Sequence, residues 1–394
     1  MPWKETDVMD EKLRFVEEML RNEKPFKQLC AAYGITEKTG HKWKNRFYEE
    51  GKAGLLEQSR APKSSPTSLP ERTVIAIVNL KHAHPTWGPK KIHAICQKAC
   101  RPQEIPSLSS VKRVLERAHL VKRRKVRKVV PDTERLRRRI EPQGCNDVWA
   151  IDFKGWWRSG GEVCEPLTVR DLHSRYILET RLMESKTSEA VRAVLTELFR
   201  KYGLPKVIRS DNGTPFASPN GILSLTSLSA WWITLGILPD RIDPGKPGQN
   251  GSLERMHADI AAEVEHKVPG GRRQNQVVLD AWREEYNTVR PNEAIGMRTP
   301  AELYVPSDRP YRGDFDTLEY PPGFLPRKVS SNGVILLHGL HISIGYSLRG
   351  LTVGLMPAHD GKFRVFLADF PLGVIDADLC CFSPLDGVES SGGS

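Results

Sequence analysis

The stretch VWAIDFKGWW, residues 148–157, decides how the fold is interpreted. It places one carboxylate, Asp152, inside an apolar run whose length and composition are typical of a β-strand. A charged group in such a strand is costly to bury unless it is paired or holds a metal ion. The simpler alternative is an aspartate at the end of the strand, where it faces solvent or accepts a hydrogen bond. The rest of the chain distinguishes these alternatives.

Three more short apolar runs follow the first. They are EPLTVRD, SRYILETRL and KVIRSD, and they are rich in β-branched and aromatic residues. Before the last of them, apolar residues recur at helical spacing over residues 187–202, and Gly203 ends the predicted helix. This order of strands and helices predicts a mixed α/β sheet.

Two further carboxylates stand at places where they can meet Asp152. Asp211 follows the last predicted strand, in RSDNGTPF, and Glu254 lies in the first turn of a helix that Ser252 can cap. Each has an ordinary alternative, a turn aspartate or a glutamate that complements a helix dipole. Together the three can converge on one edge of the sheet and bind Mg²⁺ or Mn²⁺, which prefer oxygen ligands. Two such ions about 3.5–4 Å apart suit phosphoryl transfer, and Asp152 would be buried as their rigid bridging ligand.

Length and charge limit the class of protein. A chain of 394 residues is expected to form two to four domains, and its net charge of +11 favours a polyanionic partner. Seven scattered cysteines are typical of thiols in a reducing compartment. No apolar signal peptide or membrane span is evident, so we expect a cytoplasmic, nucleoid-associated protein without a membrane partner.

The N-terminal segment predicts two helix-turn-helix units. Residues 8–51 read as three helices, and polar side chains cluster on the last of them as a DNA-reading helix requires: Lys38, His41, Lys42, Asn45 and Arg46. A solvated basic face is the alternative. A Pro- and Ser-rich linker leads to a second helical set and then to a basic connector expected to bind DNA phosphates, or to serve only as a linker. That connector contains Lys122, Arg123, Arg124 and Lys125.

Two other regions leave alternatives open. Five potential zinc ligands crowd the second helical set, although their spacing fits no common site and packing also explains them: His82, His84, His93, Cys96 and Cys100. From residue 330 onward, short strands punctuated by glycine predict a small β-barrel, either for DNA or subunit contacts or purely structural.

The motifs VWAIDFKG, LTVRDLHSRYI, IRSDNGTPF, PGQNGSLERMH and AWREEYNTVRPNEAIGMRTPAELY together resemble the DDE transposases of bacterial insertion sequences, which have a retroviral-integrase-type core. The resemblance covers roughly residues 10–305. It implies a multidomain α+β protein with helix-turn-helix domains at 1–55 and 70–120, a basic linker at 121–145, an RNase H-like integrase core at 146–305 and a small β-barrel at 325–385. It also implies that Asp152, Asp211 and Glu254 are the catalytic, metal-binding triad.

The chain departs from this family in its spacing and in a basic residue. The 42 residues between Asp211 and Glu254 exceed the usual interval, and we expect SLTSLSAWWITLGI to supply the excess as a longer helix. Ala261 stands where many relatives carry a lysine or arginine that contacts the DNA end. Arg255 or His257 is expected to take over this contact.

The resemblance implies a transposase that binds the ends of an insertion sequence, cleaves DNA and joins the 3′-hydroxyl ends to target DNA by two-metal-ion phosphoryl transfer. The implied partners are double-stranded DNA and further copies of the chain assembled on it, and the implied cofactor is Mg²⁺, with Mn²⁺ as a substitute. Two alternatives stay open: a non-catalytic DNA-binding regulator that retains the fold, and a metal-dependent nuclease.

Overall fold

A computed structural model describes residues 7–57, 69–121, 140–219, 221–242, 251–313 and 318–385, with the side chain of residue 103 left out. These residues form two compact units, divided after residue 68. The predicted basic contacts Lys122, Arg123, Arg124 and Lys125 lie outside the described residues.

The first unit is helical. It contains α1 (Val8–Arg21), α2 (Phe26–Ala32) and α3 (Glu37–Glu50), followed by a 3₁₀ turn. Thr36 caps α3, since its hydroxyl accepts the backbone N–H of Thr39 at 3.3 Å. Gly40 allows α2 and α3 to approach closely, because a Cβ there would lie 2.5 Å from the Cys30 Sγ. The predicted N-terminal helix-turn-helix is confirmed.

The second unit begins with α4 (Glu71–Ala83), α5 (Pro89–Ala99) and α6 (Leu108–Arg117), which pack around the buried Trp87. Ion pairs join α5 to the later part of this unit: Lys90 to Glu293 at 2.8 Å and Lys98 to Glu302 at 2.6 Å. The second helical set is therefore held against the core of its own unit.

A five-stranded mixed sheet forms the centre of the second unit. Its elements are β1 (Val148–Phe153), β2 (Trp157–Ser159), β3 (Glu162–Cys164), β4 (Pro166–Asp171), β5 (Ile177–Leu182), β6 (Val207–Ser210), β7 (Leu238–Arg241), α7 (Ser188–Tyr202), α8 (Ser227–Thr234), α9 (Gly251–Glu263) and α10 (Arg272–Thr288). The strand order is β5-β4-β1-β6-β7, with β6 and β7 parallel to β1, and β2 and β3 form a separate hairpin. The predicted mixed sheet is confirmed.

Apolar side chains cover both faces of this sheet. One face packs on α7 and α8 around Trp149, Phe199 and Trp232. The other face packs on α9 and α10, and there Val148 and Ala150 meet Met256. Because residues alternate along a strand, the face that a β1 residue points to decides which helices it can reach.

Helix α8 is shorter than the sequence predicts. It has eight residues, and a 3₁₀ turn (Ile222–Ser224) precedes it in place of the longer helix expected there. Its side chains are buried on all sides, because Trp232 packs into the sheet core while Ala230 and Ile233 pack into the C-terminal core. A helix that lies between two cores carries no polar face, so hydrophobic periodicity could not mark its ends.

The C-terminal part contains β8 (Leu325–Lys328), β9 (Val334–Leu337), β10 (Leu340–Ser343), β11 (Thr352–Pro357), β12 (Lys362–Leu367), β13 (Phe370–Asp376) and β14 (Cys381–Pro384). The predicted closed barrel is not confirmed. The order β14-β13-β12-β11-β8 leaves β8 and β14 as edges among the described strands, and β9 pairs only with β10. The sheet of the described strands does not close on itself. Its apolar side chains instead share one core with residues of the β9–β10 hairpin and of α8.

None of the helices in the described ranges is long and apolar enough to span a bilayer.

Candidate active site

Asp152 is the fifth residue of β1 and points to the face of the sheet that α9 covers. Val148 and Ala150, which share its side of the strand, are fully buried, whereas Asp152 is half-buried. The strand ends one residue after Asp152 and its last two positions are partly exposed, so the carboxylate is partly buried and remains accessible to a ligand.

Asp211 lies next to Asp152 across two parallel strands. In the β1–β6 pairing Ala150 is opposite Arg209, two residues before each aspartate, and the charge of Asp211 raises the pKa of Asp152. The Asp211 Oδ1 accepts the backbone N–H of Gly213 at 3.1 Å, which fixes the carboxylate over the turn. A Cβ on Gly213 would lie only 3.0 Å from the Asp211 Oδ2, so glycine leaves room for this conformation.

Glu254 is exposed in the first turn of α9, whose buried side faces the Asp152 side of the sheet. Ser252 does not have the N-cap position expected of it, since the helix already begins at Gly251. Instead, the Ser252 carbonyl accepts Arg170 Nη1 at 2.9 Å, and its hydroxyl accepts Arg175 Nη1 at 2.9 Å. These contacts hold the first turn of α9, and with it Glu254, against the sheet.

The electrostatics of Asp152 link the three carboxylates. Burial raises its pKa to about 7, and the negative charges of Asp211 and Glu254 also raise it, against a hydrogen bond from the Phe153 backbone that lowers it. No three His, Cys, Asp or Glu side chains within the described ranges are arranged tightly enough to hold a metal ion.

A hydrogen-bonded bridge connects the strand of Asp152 to the helix of Glu254. Thr168, on β4, is the register partner of Asp152, and its hydroxyl donates to the Asp152 carbonyl oxygen at 3.0 Å. The His257 Nε2 lies 2.9 Å from the same hydroxyl oxygen. Because the hydroxyl has a single proton, the histidine is the donor in this pair. Burial and the charges of Lys154 and Arg170 lower the pKa of His257 to about 4, so the ring is neutral at pH 7.

This bridge changes the interpretation of His257. It was expected as a DNA contact, but its half-buried ring points inward to Thr168. Arg255 is exposed and is still available for that contact, with only a 4.0 Å approach to Asp259. Ala261 is also exposed.

Arg170, like Thr168, is a buried residue of the site that the sequence did not predict. It is 3% exposed, and its guanidinium also donates to the Tyr286 hydroxyl on α10 at 3.0 Å. Thr168 and Arg170 occupy alternate positions on β4, on the side that faces α9. The motif LTVRDLHSRYI contains both, and two polar residues at alternate positions of a strand that reads as buried could have indicated them.

The predicted DNA-reading residues lie on α3 of the first unit. Lys38, His41, Lys42 and Asn45 are exposed there, whereas Arg46 is half-buried beside the Trp43 ring. In the second helical set, the proposed zinc ligands show other contacts: His84 stacks on Trp87 and its Nδ1 lies 3.0 Å from Glu285. The absence of a metal-binding cluster in the described ranges gives the zinc alternative no support.

Comparison with protein families agrees with this architecture. Two models described as integrase core domains match residues 142–247 and 235–300. A helix-turn-helix domain matches residues 11–63, and a homeodomain-like domain matches residues 39–115. The chain contains an integrase core. The resemblance to bacterial insertion-sequence transposases is thereby confirmed, since helix-turn-helix domains precede the integrase core as that family requires.

Two curated relatives of the integrase-core chain are insertion-element proteins. An uncharacterized 39.2 kDa protein of insertion element IS476 from Xanthomonas euvesicatoria is 28% identical over 257 residues, which cover 64% of this chain and 70% of the relative. An uncharacterized 31.7 kDa protein of insertion element IS407 from Burkholderia multivorans is 28% identical over 239 residues, which cover 59% of this chain and 81% of the relative. These relatives support a transposase or integrase.

The similar solved structures include retroviral integrases. The catalytic core of HTLV-2 integrase, in complex with magnesium, has a TM-score of 0.32 and 16% identity, covering 41% of this chain and 99% of that one. A simian T-cell lymphotropic virus intasome in complex with a PP2A regulatory subunit has a TM-score of 0.36 and 15% identity. The match covers 72% of this chain and 98% of that one. At TM-scores this low, the similarity adds nothing to the fold described above.

Proposed function

We propose that this integrase-core protein is a transposase that cleaves DNA at the ends of an insertion sequence and joins the 3′-hydroxyl ends to target DNA. The observation that supports this most strongly is that Asp152, near the end of β1, and Asp211, directly after the parallel strand β6, lie close together, with Asp211 and Glu254 both raising the pKa of Asp152. The charges of Asp211 and Glu254 disfavour the ionised form of Asp152, and a bound cation would relieve that repulsion.

The donor set fits Mg²⁺, or Mn²⁺ in its place, because all three ligands are hard carboxylate oxygens and the site is open to solvent. Asp152, Asp211 and Glu254 would hold the metal. When bound, two such ions would activate the attacking oxygen and stabilise the charge that develops on the phosphate and on the leaving oxygen.

The residues around the carboxylates have defined tasks in this proposal. Thr168 and His257 set the position of α9 relative to β1, and Arg170 holds the first turn of α9 through Ser252. Asp152 must be deprotonated to bind a cation, so a proton competes for its carboxylate below about pH 7. Neutral His257 adds no positive charge that would compete with the cation.

DNA recognition is assigned to the helical parts of the chain. The exposed residues of α3 are proposed to read the element end, while basic side chains, Arg255 among them, contact phosphates. Moving an element requires two processed ends, and each chain has one catalytic site, so we also propose that copies of the chain assemble on paired ends.

A strand-transfer assay separates this proposal from its alternatives. The purified protein is incubated with duplexes carrying its element ends and with an unrelated plasmid, in Mg²⁺ or in EDTA. We expect Mg²⁺-dependent nicking at the element end and covalent joining of that end to the plasmid. Nicking without joining would identify a nuclease, and specific binding without nicking would identify a non-catalytic regulator.

The bridge from His257 to Thr168 predicts a second result. We expect His257→Leu to lower the cleavage rate about tenfold, because α9 loses one of its links to β4 and one hydrogen bond is worth about 1 kcal/mol or more. His257→Gln, whose amide can still donate to Thr168, should recover most of the rate. DNA-end binding by gel shift should be equal in all three proteins. A His257→Gln variant as impaired as His257→Leu would contradict the bridging role.

A further inference from the structure

Two carboxylates in the last part of α9, Asp259 and Glu263, have no part in the site proposed above. They lie one turn apart on the helix that carries Glu254. Both pair with Arg290, which is 4% exposed. Its Nη2 lies 2.9 Å from the Asp259 Oδ2, and its Nη1 donates to the two Glu263 oxygens at 2.9 and 2.7 Å. Since Arg290 follows α10, this cluster fixes the end of α9 to the end of α10.

Glu263 accepts hydrogen bonds from three separate segments of the chain. Its Oε1 accepts Arg290 and the hydroxyl of Thr86, and its Oε2 accepts Arg290 and, at 2.5 Å, the Trp282 Nε1 of α10. A carboxylate has about four acceptor positions, so each of them is used here. Thr86 lies between α4 and α5, so one of the donors belongs to the second helical set.

A cation of the second helical set lies near the same carboxylates. Burial and the charge of Arg290 lower the pKa of Lys91, on α5, to about 8, and the charges of Asp259 and Glu263 oppose that shift. The second helical set therefore meets the last turns of α9 with a hydroxyl and with a positive charge.

The turn that contains Thr86 is held firmly from both sides. Trp87 is 1% exposed in the core of the second helical set, and the Lys81 Nζ donates to its carbonyl oxygen at 2.9 Å. On the other side, His84 stacks on the Trp87 ring while its Nδ1 lies 3.0 Å from the Glu285 Oε1 on α10. Thr86 itself is exposed, so its side chain adds little to the core of the helical set.

The angle of α9 matters because Glu254 is in its first turn. At a rise of 1.5 Å per residue, Glu254 lies about 13 Å along the axis from Glu263. A rotation of about 5° about the Glu263 end would move Glu254 by about 1 Å. A misplacement of that size can lower a catalysed rate about a hundredfold.

We propose that Glu263 is a positioning residue for Glu254, and that the Thr86 hydroxyl makes the second helical set part of the alignment of α9. This inference rests on the proposed strand-transfer function. It gives residues 71–117 a task apart from any contact with DNA, since they contribute a hydrogen bond that sets the angle of the helix carrying Glu254.

Substitutions of Thr86 in the full-length protein test the alignment. Thr86→Val keeps the shape of the side chain but loses the hydroxyl, and we expect it to lower the single-turnover cleavage rate about fivefold at saturating duplex. The duplex concentration for half-maximal cleavage should stay within about twofold. Thr86→Ser, which keeps the hydroxyl, should recover most of the rate. Glu263→Gln should lower the rate further, at least about tenfold, because it also weakens the pair with Arg290.

Thr196→Val is the matched control. The Thr196 hydroxyl donates only within α7, to the Arg192 carbonyl at 2.8 Å, so its loss should leave the cleavage rate within about twofold. A fivefold loss of rate in Thr196→Val would overturn the assignment to Thr86, because any lost threonine hydroxyl would then have the same effect.

Hydrogen exchange of backbone amides gives a readout that does not depend on catalysis. We expect amides of α9 to exchange at least about threefold faster in Thr86→Val than in the unsubstituted protein, with no change in α7. Equal acceleration in α7 and α9 would show that Thr86 only stabilises the unit, and would overturn the proposal. Unchanged exchange of α9 with an unchanged rate would also overturn it, as would a Thr86→Ser variant as slow as Thr86→Val. If the unsubstituted protein does not cleave DNA, the proposed function fails, while exchange of α9 still decides whether Thr86 holds this helix.

Discussion

Asp152→Asn, Asp211→Asn and Glu254→Gln are each expected to lower DNA cleavage and joining at least about a thousandfold, because each removes an anionic ligand worth several kcal/mol of transition-state stabilisation. Binding of the element end should stay within about twofold, since the proposed reading residues lie on α3 in the other compact unit. The measurement is single-turnover cleavage of end-labelled duplex in Mg²⁺, together with a gel shift in EDTA.

Glu284→Gln serves as the control for these substitutions. Glu284 is an exposed carboxylate on α10, away from the carboxylates at the ends of β1 and β6, and its loss should leave cleavage unchanged. Near-normal cleavage by any one of the three site variants would remove that residue from the proposed triad.

Asp152→Asn is also expected to stabilise the metal-free protein above pH 7. The pKa of Asp152 is about 7 in the folded protein, against an ordinary value of 3.8, so between these values the folded state holds a proton that the unfolded state has lost. The contribution of Asp152 to the free energy of unfolding therefore falls as the pH rises from about 4 to about 7. The amide introduced by the substitution does not titrate, and the variant should be more stable by roughly 2–4 kcal/mol at pH 8.

Urea unfolding in EDTA at pH 4 and pH 8 checks this expectation. The difference in unfolding free energy between variant and unsubstituted protein should be larger at pH 8, and it should shrink when Mg²⁺ is added, because the cation stabilises only the protein that keeps its carboxylate. A difference that does not depend on pH would show that Asp152 is not strained by burial and by Asp211 and Glu254. Glu284→Gln should not change the unfolding free energy by more than about 0.5 kcal/mol.

Local patterns predicted the secondary structure where one face of an element is polar. The helices of the first unit and the strands of the core sheet show the expected periodicity of apolar residues. Thr36 caps α3 as expected. The same rules failed for α8, of which seven of the eight residues are buried, and for the C-terminal sheet. Glycine-punctuated strands are compatible with a closed barrel and with an open sheet covered by other elements, so local sequence could not distinguish the two.

The sequence by itself determined which carboxylates the core presents. Asp152 is marked by the apolar run around it, Asp211 by the Asn-Gly turn after a strand, and Glu254 by its place at the start of a helix. That β1 pairs in parallel with β6 and brings the two strand ends together is shown only by the tertiary structure.

Only the tertiary structure decided what holds these carboxylates and what lies beside them. Thr168, Arg170 and His257 act through hydrogen bonds that join residues 82–116 positions apart and reach α9 and α10. Helix α8 likewise packs against two cores at once, and only the docking of distant elements shows this. Hydrogen bonds and packing between distant segments depend on how whole elements dock, and a residue's sequence neighbours carry no record of that docking.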